Sequence, residues 1–163
     1  SSGLNPSDLF IGTPLINDRN KIVISTNNFT YIIDSVTGVI IHKKNFTTHL
    51  KSILNNNHLF TITKNNLLIM MDINTGKIIY SYNINQQIAD FLNIKKQKVD
   101  FKNIIIVNND LFVFLKNSYV LKFKINGDLK EVTKLPAKLY TSPIFIDDSI
   151  IFMDSKNKIS IVD

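Results

Sequence analysis

The feature that most constrains this chain is a repeat. Pro14 to Asp34 and Pro143 to Asp163 align without a gap, PLINDRNKIVISTNNFTYIID against PIFIDDSIIFMDSKNKISIVD. Ser52 to Asp72, SILNNNHLFTITKNNLLIMMD, falls into the same register, and Ile104 to Lys124, IIIVNNDLFVFLKNSYVLKFK, fits with Lys in the Asp place. In each copy three short apolar runs are separated by polar breaks, the second break being Asn27-Asn28, Asn65-Asn66, Asn117-Ser118 or Lys156-Asn157. Asn tolerates the positive φ that tight hairpins demand, so each copy predicts three antiparallel strands. A turn closed by Gly follows: Asp34-Ser35-Val36-Thr37-Gly38, Asp72-Ile73-Asn74-Thr75-Gly76, and Asn126-Gly127 in the third full unit. A fourth strand comes after each glycine, over 39–43, 77–82 and 129–135.

The ends of the third strands, positions 34, 72, 124 and 163, are spaced by 38, 52 and 39 residues, so one unit carries an insertion. It covers 85–100. Gln86 to Leu92 predicts one or two helical turns with Ile88, Phe91 and Leu92 on one side, and Lys95, Lys96, Lys98 and Lys102 follow as a solvated loop. Strands such as Lys21 to Ile24, Asn103 to Val107 and Ser149 to Met153 do not alternate cleanly, so both of their faces must leave water. Short antiparallel strands with two buried faces, repeated at about forty residues, are what stacked propeller blades need. The expectation is an all-β chain, a β-propeller segment of about four four-stranded antiparallel blades with the last one incomplete. One propeller fragment spans 1–163, with blades at about 12–48, 49–84, 101–136 and 137–163. Leu9-Phe10-Ile11, ahead of the first blade, is the candidate strand to complete a last blade. Four such blades are about half of a seven- or eight-bladed ring, so the chain is expected to be the C-terminal half of a longer protein, with two copies closing a ring as a homodimer or, as the alternative, one chain closing a tight four-bladed ring.

Composition removes several functions. There is no Cys, hence no disulfide, thiolate nucleophile or Cys-based zinc site. The net charge is +6, but 18 of the 19 basic residues are Lys, and Ile (27) and Asn (21) are equally over-represented, so the charge follows a compositional drift. Phe and Tyr lie in strand runs such as Leu111 to Leu115 that a core requires, which argues against a stacking surface for nucleic acid. No apolar stretch approaches the ~20 residues of a membrane-spanning helix. His42, His49 and His58 lack metal-ligand spacing, and Asp147-Asp148 predicts a turn before Ser149 rather than an acid/base pair. Ser25, Ser118 and Ser142 lack the glycine-flanked elbow of a serine hydrolase, and the five glycines form no phosphate loop. The repeated Asp34, Asp72 and Asp163 are expected to bond the backbone of the turn that follows them. Two sequons, Asn28-Phe29-Thr30 and Asn45-Phe46-Thr47, are expected by chance in so Asn-rich a chain.

A third strand ending in Asp, then x-x-Thr-Gly and a fourth strand, as in Tyr31-Ile32-Ile33-Asp34-Ser35-Val36-Thr37-Gly38-Val39-Ile40-Ile41, resembles the pyrroloquinoline-quinone-type propeller repeat. The resemblance covers all four copies. The Lys- and Asn-rich blades and the insertion are most similar to the outer-membrane assembly lipoproteins, the propeller subunits of the β-barrel assembly machinery. The quinone-type repeat usually places Trp four residues after the Gly; this chain has His42, Tyr80 and Glu131 there. With no Trp, no Cys and one Glu, the ligands of a quinoprotein dehydrogenase are missing. The resemblance therefore implies a protein-interaction scaffold that is not an enzyme, without catalytic, metal-binding or cofactor-binding residues and without a cofactor. Its implied partners are the barrel-forming subunit and outer-membrane protein substrates, with no nucleic acid. It implies a periplasmic, outer-membrane-associated location, with membrane attachment only through a lipid anchor outside this sequence. No partner-contact residues transfer. The alternative is a fragment of another quinone-repeat propeller, a dehydrogenase or sensor domain, whose cofactor site lies elsewhere.

Overall fold

The computed structural model describes residues 16–18, 20–48, 50–147 and 149–162. The expectations placed on Leu9 to Ile11, Pro14, His49, Asp148 and Asp163 lie outside these residues. The chain divides into two compact units that meet between Ile84 and Asn85.

The first unit holds two four-stranded antiparallel meanders. Sheet 1 runs β1 (Ile16–Asp18), β2 (Lys21–Ser25), β3 (Thr30–Asp34) and β4 (Ile40–Lys44), and sheet 2 runs β5 (Ile53–Asn55), β6 (His58–Ile62), β7 (Leu67–Asp72) and β8 (Ile78–Asn83). The second unit opens with the helix α1 (Ile84–Leu92), whose first residue is the last of the first unit. Sheet 3 follows with β9 (Phe101–Val107), β10 (Asp110–Leu115), β11 (Tyr119–Lys124) and β12 (Leu129–Lys134). Sheet 4 has three strands among the described residues: β13 (Ile144–Ile146), β14 (Ser149–Met153) and β15 (Ile159–Val162).

The polar breaks do the turning. Asn56 and Asn57 (φ 47° and 66°) join β5 to β6, and Asn108 and Asn109 (49° and 62°) join β9 to β10. Two consecutive positive φ values give the two-residue hairpin whose twist matches its strands. Asp147 (φ 53°) likewise sits in the turn before Ser149. The second hairpin of three sheets uses one left-handed residue instead, Asn66, Ser118 or Asn157. In sheet 2 the Thr63 hydroxyl accepts the Leu67 amide (3.1 Å); in sheet 4 the Asp154 carboxylate takes that role, accepting the Lys156 (2.7 Å) and Lys158 (3.0 Å) amides. Asn28 of sheet 1 has no positive φ: there the Thr26 hydroxyl accepts the Phe29 amide and donates to the Phe29 carbonyl.

Register decides what each face buries. The pairing Ile16↔Val23↔Ile32 puts these side chains on one face of sheet 1, where they pack with Leu59, Ile69 and Met71 of sheet 2. The opposite face of sheet 2 carries Phe60, Ile62 and Leu68, all fully buried. In the second unit, Leu111, Val113, Leu121 and Phe123 form one fully buried face of sheet 3. Its other face meets sheet 4, where Phe114, Val120, Leu135, Leu139 and Phe152 make the core. Burying each such side chain contributes roughly 1.5–3 kcal/mol.

The helix α1 lies at the start of the insertion but turns differently from expectation. Ile84, Ile88 and Ala89 are buried, whereas Phe91 and Leu92 are exposed. The i, i+4 pair Ile84/Ile88 defines the buried stripe, which leaves the last turn to solvent. Asn93 (φ 52°) ends the helix, and the Ile94 amide donates to the Ala89 carbonyl (3.0 Å), the six-to-one bond of a Schellman stop with Asn in the usual glycine place.

Candidate functional site

The third-strand aspartates are turn residues. Asp34 accepts the amides of Val36 (3.0 Å) and Thr37 (2.8 Å) and the Thr37 hydroxyl (2.9 Å), while Asp72 accepts the Asn74 and Thr75 amides (2.8 Å each). Those bonds, from Thr37 above all in the first case and Thr75 in the second, hold both carboxyls below the usual carboxylate range. The next backbone bond, Gly38 or Gly76 N–H to the aspartate carbonyl, closes the loop with the glycine left-handed. Where Lys124 replaces Asp, the loop tightens to a Lys124–Gly127 turn in which Asn126 accepts the Asp128 amide (3.2 Å).

Of the three fourth-strand positions His42, Tyr80 and Glu131, His42 does the docking. Its ring lies against Gly76 so closely that a Cβ there would stand 2.8 Å from Nδ1, and its Nε2–H donates to the Asn74 carbonyl (2.9 Å). Lys21 Nζ donates to the Asn74 side-chain oxygen beside it, so two residues of sheet 1 hold one turn of sheet 2. Tyr80 is buried and stacked on Tyr82 (centroids 5.1 Å apart), and burial pushes its phenol well above the ordinary value. Glu131 instead accepts the Thr133 hydroxyl on an exposed strand.

The other sequence candidates do not converge. His58 packs edge-on to Phe60, the Ser25 hydroxyl accepts the Thr48 amide (3.0 Å), Ser118 is a turn residue and Ser142 is exposed. Among the described residues there is no cluster of three metal-ligating side chains, and no helix is long and apolar enough to cross a membrane.

Three features of the second unit stand out instead. A cavity of about 280 Å³ lies between sheets 3 and 4, lined by Asp110, Phe112, Lys122, Glu131 and Phe145 among others. Asp110 pairs there with Lys130 (3.1 Å) and Lys122 (3.3 Å), and Lys122 also sits 5.3 Å over the Phe112 ring. Desolvation pushes Asp110 up, but the bonds and charges of the two lysines together outweigh it and hold it below the usual range. The second feature is an apolar groove of about 190 Å³ between α1, the loop after it and sheet 3.

The third is the outer face of sheet 4. Register places Ile144, Ile151 and Ile161 in one row and Met153 and Ile159 in the next, with Ile146 beside them. Ile144, Ile146, Ile159 and Ile161 are each more than half exposed. Isolated exposed isoleucines are ordinary; a contiguous face of them is apolar surface that another surface can cover. Strands β4 and β12 carry Lys43, Lys130 and Glu131, whereas β8 and β15 carry no charged side chain. The repeat implies an open apolar face wherever a blade lacks a neighbour, and the register identifies the isoleucines that form it here.

The meanders and their register define a β-propeller, and solved structures agree. No protein-family model matches the chain, and no curated protein is similar to it in sequence. The computationally designed Ika4 protein superposes with a TM-score of 0.66 at 13% identity, over 93% of this chain and 89% of that one. BamB from Moraxella catarrhalis gives 0.55 at 9% identity, over 93% of this chain and 57% of its own. The WD40 β-propeller domain of Doa1 gives 0.58 at 20%, over 87% and 46%. The chain thus spans most of the designed protein and about half of each natural one. The likeness establishes the propeller fold.

Proposed function

We propose that this chain is a non-catalytic protein-interaction propeller whose docking surface is the outer face of sheet 4. The observation that carries the reading is the uncharged, contiguous face of Ile144, Ile146, Ile159 and Ile161. Its occupant is a β-structured polypeptide, since a flat sheet face accepts another sheet through interleaved side chains. The resemblance of the repeat to that of the outer-membrane assembly lipoproteins, supported by the fold shared with BamB, makes barrel-forming polypeptides the proposed partners and the periplasm the proposed compartment. The absence of catalysis is part of the proposal: Asp34, Asp72 and Asp154 serve turns, and Asp110 is paired with two lysines.

The test is titration of an unfolded outer-membrane barrel polypeptide against the chain and its Ile159→Lys/Ile161→Lys variant, with circular dichroism as the folding control. Saturable binding that weakens at least ~tenfold in the folded variant is expected, a change of about 1.4 kcal/mol. Equal binding by both proteins would remove the face from the mechanism. Light scattering on the chain alone distinguishes a second copy as occupant, because the species would then exceed 18.6 kDa and return to it in the variant.

A further inference from the structure

The insertion that breaks the repeat builds a second, chemically different surface. Its groove has an apolar floor of Ile88, Ala89, Val99, Leu115 and Leu121, and Leu92, Ile94 and Lys95 form part of the rim. Both ends of the enclosing loop are fixed. At one end the Ile94 amide donates to the Ala89 carbonyl; at the other the Val99 amide donates to the side-chain oxygen of the buried Asn85 (3.3 Å). The groove is therefore preformed, which lowers the ordering cost of binding.

Exposure and charge say what it accepts. Leu92 and Ile94 are each more than 40% exposed, although they line a groove with room for a large side chain, and Phe91 beside Leu92 is equally exposed. Lys95, Lys96 and Lys98 are exposed beside them and make no ion pair among the described residues. Residues 95–102 contain four of the chain's 18 lysines, a local density well above that of the 163-residue whole, so the compositional drift does not account for them. Of the nearby carboxylates, Asp90 already accepts Gln86 Nε2 (2.8 Å). A concave apolar floor asks for a side chain that enters it, and a flat bilayer would leave it unfilled. We propose that this groove docks a segment of a partner protein in which a large apolar side chain is flanked by carboxylates. The site is separate from the face of sheet 4 and stands or falls independently of it.

A fluorescein-labelled peptide, Asp-Glu-Leu-Phe-Asp-Glu, tests this against the full chain by anisotropy. Two controls replace its acids by Lys, or its Leu and Phe by Ser. Saturable binding of the first peptide only is expected, weakening as salt rises from about 0.05 to about 0.5 M. The Lys95→Glu/Lys96→Glu/Lys98→Glu protein and the Leu92→Ser/Ile94→Ser protein should each bind at least ~tenfold more weakly with unchanged circular dichroism. Amide-shift mapping on the unaltered protein should localise the peptide to residues 88–99, which keeps the test independent of how the variants fold. The proposal is overturned by equal binding of the Lys control, by shifts elsewhere, or by no saturation at about 1 mM peptide. It is also overturned if the chain ignores the peptide but sediments with phosphatidylglycerol vesicles, which would assign the surface to a membrane.

Discussion

Gly38 and Gly76 occupy equivalent turns with nearly equal φ, +71° and +69°, yet their surroundings differ completely. A Cβ at Gly38 meets nothing within 4 Å, whereas one at Gly76 meets three atoms of the His42 ring at 2.8–3.0 Å. Gly38→Ala should therefore cost only the left-handed backbone penalty, roughly 1–2 kcal/mol. Gly76→Ala carries that same penalty and must also displace a ring held by its bond to Asn74, so overpacking adds about 1–3 kcal/mol. For a chain of this size each kcal/mol shifts Tm by roughly 2–4 °C. The assay is urea unfolding followed by circular dichroism for both variants, for His42→Ala, and for the His42→Ala/Gly76→Ala double variant. Removing the ring should reduce the cost of Gly76→Ala to that of Gly38→Ala. If the two glycine variants cost the same to within ~0.5 kcal/mol, or if His42→Ala brings no relief, His42 does not lock sheet 1 to sheet 2.

Acid should act through the turn aspartates. The carboxyls of Asp34, Asp72, Asp110 and Asp154 lie below their ordinary 3.8 in the folded chain, so the stability they supply is fully present above that value and is lost as pH falls through the lower folded ones. The urea midpoint should accordingly fall below about pH 4, less steeply in Asp34→Asn/Asp72→Asn; a midpoint unmoved down to about pH 2.5 contradicts the turn assignment. Phe114→Ala, at a fully buried position between sheets 3 and 4, should cost about 3–5 kcal/mol, and Phe91→Ala, on the exposed end of α1, no more than ~0.5 kcal/mol by the same titration. A comparable loss at Phe91 would mean that its ring belongs to the core.

The amino-acid sequence by itself determined the strands, their order and their turns. These are local matters: Asn56-Asn57 and Asn108-Asn109 can adopt positive φ, and an Asp three residues before Thr can bond the amides that follow it, whatever surrounds them. A helical stretch over Gln86 to Leu92 was legible too, although its start at Ile84 and its stop at Asn93 came from the structure. Its rotation was not legible, because Ile84, Ile88, Phe91 and Leu92 are alike in hydropathy and only the sheet beneath selects which of them is covered. His42 shows the same limit: the repeat places it on the fourth strand, but its contact with Gly76, 34 residues away, exists only once two sheets are packed. Which isoleucines form the open face of sheet 4, and the groove beside α1, were decided by tertiary structure, since isoleucines in register look identical in sequence whether or not another surface lies over them.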